Sequence, residues 1–328
     1  MDNSATKKKI LVTGGLGFIG SNYLNKFALK YPEYTFINID CMTYASHLGN
    51  VAVAESKNYH FEKVDIRDTE SLERIFLEYQ PTDIIHFAAE SHVDISIFNP
   101  RIFMETNIIG THNLLLLAMK YKIDRFHQIS TDEVYGSLGE NDPPFNLKSP
   151  LAPNSPYSAS KAAGDMLVRS YNKTFGLNTV ITHCSNNYGP NQDKTKLIPK
   201  TIFNLINNQK VPVYGKGENI RDWIYVEDHI DGIDLVFHKG QSGGVYNIGG
   251  GKELRNIDIV EKIIQIIGKD KSLIEFVEDR KGHDFRYAVD NSEILKELNW
   301  KPKVDLEEGL EKTVNFYKKH NSSIQSSV

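Results

Sequence analysis

The sequence predicts an α/β protein: a doubly wound parallel sheet followed by a smaller domain that is partly interleaved with it. Three observations predict this. Apolar runs alternate with segments of 3.6-residue periodicity, a glycine-rich turn follows the first run, and the rhythm changes after about residue 185. In chain order the runs "KKILVTG", "YTFINID", "YHFEKVD", "TDIIHFAAE", "RFHQIS" and "NTVITHC" read as buried strands. Right-handed crossovers between them put helices on both faces and collect the strand C-termini along one edge, where a functional site is expected. Beyond residue 185, "SNNYGPNQ", "QKVPVYGKGEN" and "SGGVYNIGGGKE" supply turn-forming Gly, Pro and Asn between shorter elements. The expected division is therefore 1–185 for the sheet domain and 186–328 for the smaller one.

At 328 residues the chain can bury a core without staples, and 40% hydrophobic with 24% charged residues is ordinary for a globular protein. With 38 basic and 42 acidic residues the formal charge is −4, which disfavours nucleic acid as a partner. Cys41 and Cys184 stand far apart without CxxC spacing, so two free thiols are expected, with no disulfide and no metal site. The opening "MDNSATKKK" has charge but no apolar stretch, and no run approaches a membrane span. The expectation is a cytoplasmic protein without a membrane partner.

The turn "TGGLGFIGSN" spaces Gly14, Gly17 and Gly20 between a strand and a helix. Gly14 gives the tight turn, Gly17 lets a pyrophosphate approach the helix N-terminus, and Gly20 lets the helix lie close on the sheet. Asp40 ends the second strand, where an acid accepts hydrogen bonds from a ribose and repels a 2′-phosphate, favouring NAD over NADP. Each feature alone also fits a plain turn. In "VDIRD", Asp65 and Ile66 lie on the same edge, where they bracket an adenine or simply form a turn.

In "SPYSASKAAGDML", Tyr157 and Lys161 stand four residues apart and share one helix face. Such a pair occurs by chance on exposed helices. Behind a nucleotide turn it reads as a base, because an ammonium beside a phenol favours phenolate and should lower its pKa. The strand end "ISTDEVYG" adds Thr131, Asp132 and Glu133 in succession.

Together these motifs resemble the extended short-chain dehydrogenase/reductases, and within them the dTDP-glucose 4,6-dehydratases. The resemblance rests on "TGGLGFIGSN", "DCMTYA", "FAAESHVD", "STDEVYG", "SPYSASKA", "SNNYGP", "KLIP", "PVYGKGENIRDWIYVEDH" and "DRKGHDFRYAVD", spanning residues 10 to about 290. It implies a Rossmann-type NAD domain, a sugar-nucleotide domain, and a homodimer in which helices 99–120 and 156–175 pair as a four-helix interface. It also implies catalytic roles. Tyr157, with Lys161, deprotonates the sugar 4-hydroxyl, Glu133 takes the C5 proton, Asp132 protonates the leaving 6-hydroxyl, and Thr131 holds the 4-oxygen. Glu133 must then be ionised and Asp132 protonated, a split the sequence does not reveal.

For the cofactor the resemblance adds Phe18, Ile19, Cys41, Met42, Thr43, Phe87, Ala88, Ala89, Glu90, Ser91, Thr106 and Asn187. For the substrate it adds Ser91, Asn186, Lys196, Leu197, Pro212, Val213, Tyr214, Arg221, Asn256, Asp279, Arg280, Lys281, Gly282 and His283. "DRKGHDFRY" also reads as a solvated charged loop, and His92 as a packed loop histidine without a role. Ile95 stands where the family usually has Arg. The same acid-base set suits UDP-glucose, and C4 epimerisation or decarboxylation on the same fold is disfavoured by Asp132.

Overall fold

Thirteen strands organise the structure, a computed structural model that describes residues 7–279 and 282–325. They are β1 (Lys9–Thr13), β2 (Thr35–Asp40), β3 (Tyr59–Lys63), β4 (Asp83–His86), β5 (Arg125–Thr131), β6 (Thr179–Cys184) and β7 (Asn186–Tyr188). There follow β8 (Val211–Tyr214), β9 (Ile220–Tyr225), β10 (Gly244–Ile248), β11 (Glu253–Arg255), β12 (Ile274–Val277) and β13 (Arg286–Tyr287). Seven of them form one parallel sheet in the order β3-β2-β1-β4-β5-β6-β10. Direction of winding reverses between β1 and β4, and the crevice at that switch point is where such sheets bind ligands. β2, β4 and β6 are intermediate or buried at every residue, as parallel strands covered on both faces must be.

Local chemistry sets the helix ends. Thr69–Tyr79 begins at Asp68, whose carboxylate accepts from the N–H groups of Glu70 and Ser71. Pro156–Phe175 begins with Ser155 and Ser158 bonded reciprocally, has Pro156 in its first turn, and ends at Gly176 in the left-handed region. Phe18–Lys30 differs. It starts at Gly17 with no side-chain cap and no acid in its first turn, leaving its backbone donors directed at the crevice.

One core lies between the sheet and helices Phe18–Lys30 and Val226–Lys239, with Leu16, Phe27, Phe36, Ile230 and Phe237 buried in it. The opposite face packs Leu72, Phe76, Leu114 and Val168 against Ile37 and Ile84. A third core joins Leu197–Ile206, Asn256–Ile267 and the start of Leu306–Gln325 over β9. Past residue 185 the chain does not stay in one body: Val226–Lys239 covers the large sheet and β10 extends it beside β6. In return, Leu138 bridges to Arg286 and Phe145 to Val289. The segment after the Asp132–Tyr135 turn is thereby clamped to β13 and the residues just after it.

Among the described residues one helix, Pro100–Lys120, is long and apolar enough to cross a membrane, and half of its apolar window is buried inside the protein. No group of His, Cys, Asp or Glu among them could hold a metal ion.

Candidate active site

A cavity of about 320 Å³ runs along the C-terminal ends of β1, β2, β4, β5 and β6. Its first wall is the glycine turn. Gly14 has φ +72, and a Cβ there would lie 2.6 Å from the Ala88 nitrogen. At Gly20 a Cβ would lie 2.5 Å from the Gly14 carbonyl oxygen. Both positions exclude any other residue, so backbone and helix N-terminus come right up to the cavity.

Asp40 shapes the second wall. Its carboxylate accepts from the Leu16 N–H at 3.1 Å, the Met42 N–H at 2.8 Å and the Ser46 hydroxyl at 2.8 Å. Met42 sits in the left-handed region at φ +60, packs against the first core and does not line the cavity. Gly14, Gly17, Phe18, Ile19, Gly20, Asp40, Cys41, Thr43, Asp65, Ile66, Phe87, Ala88, Ala89, Glu90, Ser91 and Thr106 all do. Asp65 is held by a forked pair with Arg67, a cavity residue the sequence reading passed over.

The floor carries the acids. Thr131 ends β5 and its hydroxyl caps the Asp132–Tyr135 turn by accepting from the Glu133 N–H at 3.3 Å. Asp132 is 2% exposed, and its Oδ2 has no hydrogen-bond partner. Burial, with Glu133 and then Asp222 nearby, pushes its carboxyl well above the ordinary value, while Arg221 opposes them. Of the two neighbouring acids, Asp132 is thus the one whose environment favours the protonated form. Glu133, half-buried, lines the same cavity with Tyr157 and Lys161.

Tyr157 corrects an expectation. Its phenol is pushed up, first by burial and then by Glu133, although the Thr131 hydroxyl bonded to it pulls the other way. Lys161 is not among the main influences on it. The ammonium donates to the Ile129 carbonyl at 2.7 Å, and burial lowers its own pKa. Ile95 packs beside Tyr157, Val93 and Phe103, an apolar contact next to the candidate base.

Asn186, Asn187 and Lys196 close the cavity's far end. The Oδ1 atoms of both asparagines are buried without partners, as is Oε1 of Gln192. Buried polar atoms without partners cost energy, and a polar ligand here would satisfy them. Lys196 reaches the Ser91 carbonyl at 3.3 Å.

The remaining substrate candidates gather in a second cluster outside this cavity. Strand β8 alternates, so Pro212 and the exposed Tyr214 face out while Val213 is buried in the third core. Val213 therefore offers no side chain to a ligand, and Leu197 packs against that same core. Tyr214 meets His283 edge-on, and His283 bonds Asp279 at 2.6 Å. Gly282 is exposed with φ +63 beside them. Arg221 is 4% exposed, stacks 4.4 Å over the Tyr287 ring and donates to the carbonyls of Ile220, Phe285 and Asp284. Asn256 joins through Asn219, which bonds both the Asn256 N–H and the Asp284 carbonyl. Arg280 and Lys281 lie outside the described residues. His92 bonds Thr195 at 3.1 Å and does not line the cavity.

Sequence reasoning missed Asp222 and Cys184. Asp222 follows Arg221 on β9 and is pushed up to about 6 by burial, against donors from Lys252, Ser185 and Gly250. Only the alternation of β9, which turns the neighbour of a pyrophosphate-type arginine toward the acids, could have signalled it. Cys184 ends β6 in the cavity wall and its thiol donates to the Ser130 carbonyl.

A cavity with a bare helix N-terminus on one side, and a phenol, an ammonium and two unlike carboxyls on the other, suits a dinucleotide beside an alcohol. It marks an extended short-chain dehydrogenase/reductase. The GDP-mannose 4,6 dehydratase family model matches residues 11–313. The dTDP-glucose 4,6-dehydratase of Salmonella typhimurium is 47% identical, covering 94% of this chain and 92% of that protein. A solved dTDP-glucose 4,6-dehydratase from Bacillus anthracis, in complex with NAD, superposes with TM-score 0.90 at 46% identity, covering 96% of this chain and 98% of that one. The UDP-glucose 4-epimerase of Thermotoga maritima reaches TM-score 0.89 at only 32% identity, over 95% of this chain and 99% of that one. Backbone likeness barely separates the two reactions. This chain belongs to the dTDP-glucose 4,6-dehydratase family.

Proposed function

We propose that the protein is an NAD-dependent dTDP-glucose 4,6-dehydratase, converting dTDP-glucose to the 4-keto-6-deoxy sugar used in deoxysugar biosynthesis. The observation that carries the reading is Asp132, a buried carboxyl with an unpartnered oxygen, pushed toward its protonated form by burial and by Glu133, at the end of β5. An epimerase has no use for such an acid. Elimination of water needs one group to take a proton and another to give one.

The residues that would hold NAD are the uncapped helix start at Gly17, Gly14 and Gly20, Asp40 with Thr43, Asp65 with Ile66, and the segment from Phe87 to Ser91. When bound, NAD would supply the hydride acceptor for C4 and the donor for C6. Tyr157 takes the proton of the 4-hydroxyl, with Thr131 hydrogen-bonding the 4-oxygen. A ketone at C4 makes the C5–H acidic, and Glu133 removes that proton. Asp132 protonates the departing 6-hydroxyl, so water leaves. Each of these transfers is worth roughly 10²–10⁴-fold in rate.

Nucleotide recognition falls to Asn186, Lys196 and the outer cluster of Pro212, Tyr214, Arg221, Asn256, Asp279 and His283. Ile109, Leu116, Met166 and Phe175 leave apolar surface on helices Pro100–Lys120 and Pro156–Phe175, which supports pairing of two chains through these helices. Two free cysteines fit the cytoplasm.

The test is turnover by the purified protein without added nucleotide cofactor, comparing dTDP-glucose with UDP-glucose. A 4-keto-6-deoxy product from dTDP-glucose is expected. Formation of the C4 epimer, or an absolute requirement for NADP, would overturn the proposal.

A further inference from the structure

Beneath the two acids lies a chain of buried polar groups with no part in the chemistry above. Ser130, the residue before Thr131, donates to Asp165 Oδ2 at 2.7 Å, and His183 Nε2 lies 3.1 Å from the same oxygen. His183 Nδ1 lies 2.8 Å from the Tyr135 hydroxyl, which donates to Asn247 Oδ1 at 3.0 Å. Tyr135 closes the turn that bears Asp132 and Glu133, and Asp165 stands one helical turn beyond Lys161. All five side chains are at most 4% exposed.

Counting donors fixes the protons. Asn247 Nδ2 donates to the Phe145 carbonyl, so its Oδ1 is the atom facing Tyr135, and the single phenolic proton goes there. The Tyr135 oxygen must then accept from His183, so Nδ1 carries a proton. Between Nε2 and Asp165 Oδ2, two lone pairs cannot face each other at 3.1 Å, so a further proton lies between them. Imidazole and carboxyl together are neutral, with the negative end on the helix of Tyr157 and Lys161. The other carboxyl oxygen, Asp165 Oδ1, is buried without a hydrogen-bond partner.

We infer that Asp165 and His183 are positioning residues of the dehydratase: they share one proton, fix the acid-bearing turn against the Tyr157 helix, and provide the counter-charge of Lys161. This rests on the function proposed above. Asp165 favours the Lys161 ammonium against its burial. The other ionisable groups facing this region are Tyr157 on the same helix, His86 on β4, Cys184 of β6, Asp132 and Glu133 on the turn, and Tyr135.

Two measurements test it. In the first, the pH profile of kcat with dTDP-glucose is compared for wild type, Asp165→Asn and Tyr135→Phe. Asp165→Asn should move the alkaline limb to lower pH by about one unit as Lys161 loses its counter-charge, with KM within about twofold. Tyr135→Phe keeps that charge and loosens the turn, so kcat should fall about tenfold with the limb unmoved. Profiles of Asp165→Asn and wild type that differ only by a scale factor overturn the proposal. The second is the ¹⁵N spectrum of labelled histidine in resting protein, the His183 ring being assigned by its absence in His183→Gln. Nδ1 should carry a proton, as its hydrogen bond to the Tyr135 oxygen demands. A bare Nδ1 overturns the network even if Asp165→Asn cannot be purified. Absence of any 4-keto product from wild type would instead refute the proposed function, and the ring spectrum would then decide the network alone.

Discussion

The floor of the cavity and the outer rim bind to opposite demands. On the floor, Thr131, Asp132, Tyr157 and Lys161 are all buried, sit at the end of a strand or on the first turns of a capped helix, and take part in fixed contacts. At the rim, Tyr214 and Asp279 are exposed and the contacts are made among the rim residues themselves. Proton transfer needs pKa values displaced from their solution range, and only burial and close charges displace them far. Recognition of a nucleotide needs access, which burial would deny. The two regions should therefore fail differently when altered: the floor in kcat, the rim in KM.

The largest effect expected is at Glu133. Glu133→Gln removes the base for C5 and should lower turnover by roughly 10³-fold or more, and turnover in deuterated water should no longer place deuterium at C5 of the product. Reduced cofactor should accumulate, visible by absorbance, because C4 oxidation precedes the missing step. Undiminished C5 labelling in this variant would remove Glu133 from the mechanism. Asp132→Asn deletes only the acid, so C5 exchange should survive while elimination slows by roughly 10²-fold. Were it to abolish C4 oxidation as completely as Tyr157→Phe does, the two carboxyls would be positioning substrate and the contrast drawn for the floor would break.

How far the sequence reveals all this follows the same contrast. The strands read from apolar runs appear as β1 to β6; β2, β4 and β6 were plain because parallel strands covered on both faces are largely apolar, while the edge strand β3 carries polar residues at His60, Glu62 and Lys63. Gly14 and Gly20 were legible because steric exclusion leaves no alternative residue. Strand β10 was not placed: "GVYNI" sits between glycines, and its pairing with β6 depends on a helix returning from the other domain. Val213 was misplaced because a two-residue alternation has to be phased, and nothing local says which face of β8 is buried. The direction of the Tyr157 shift was missed for a different reason. A Lys four residues on shares the helix face, but the Ile129 carbonyl that engages its ammonium comes from a strand 32 residues earlier.

At the rim the effects should be smaller and of the other kind. His283→Ala removes a ring held between Asp279 and Tyr214, and KM for dTDP-glucose should rise about 5–10-fold with kcat within about twofold. Initial-rate measurements at saturating and limiting substrate check it. A fall in kcat with KM unchanged would mean that His283 acts on the floor, and that the two regions are one.

The smallest effect is on stability, and it tests the floor with no substrate present. Asp132 holds its proton in the folded protein above its ordinary value of 3.8, whereas the unfolded chain releases it there. Above that pH the folded state binds more protons than the unfolded state, so the sign is negative: wild-type stability falls as pH rises, until the folded group itself ionises. Asp132→Asn has no proton to lose and escapes that fall. Near pH 4 the two proteins should melt within about 1 °C of each other, and toward pH 7 the variant should melt progressively higher than wild type. Thermal melts at half-unit pH steps measure the difference. A gap that stays constant across this range, or that closes as pH rises, would mean that Asp132 ionises freely in the folded protein. It could not then be the proton donor, and the acid for the 6-hydroxyl would have to be sought in Asp222, the other buried carboxyl whose charge reaches this site.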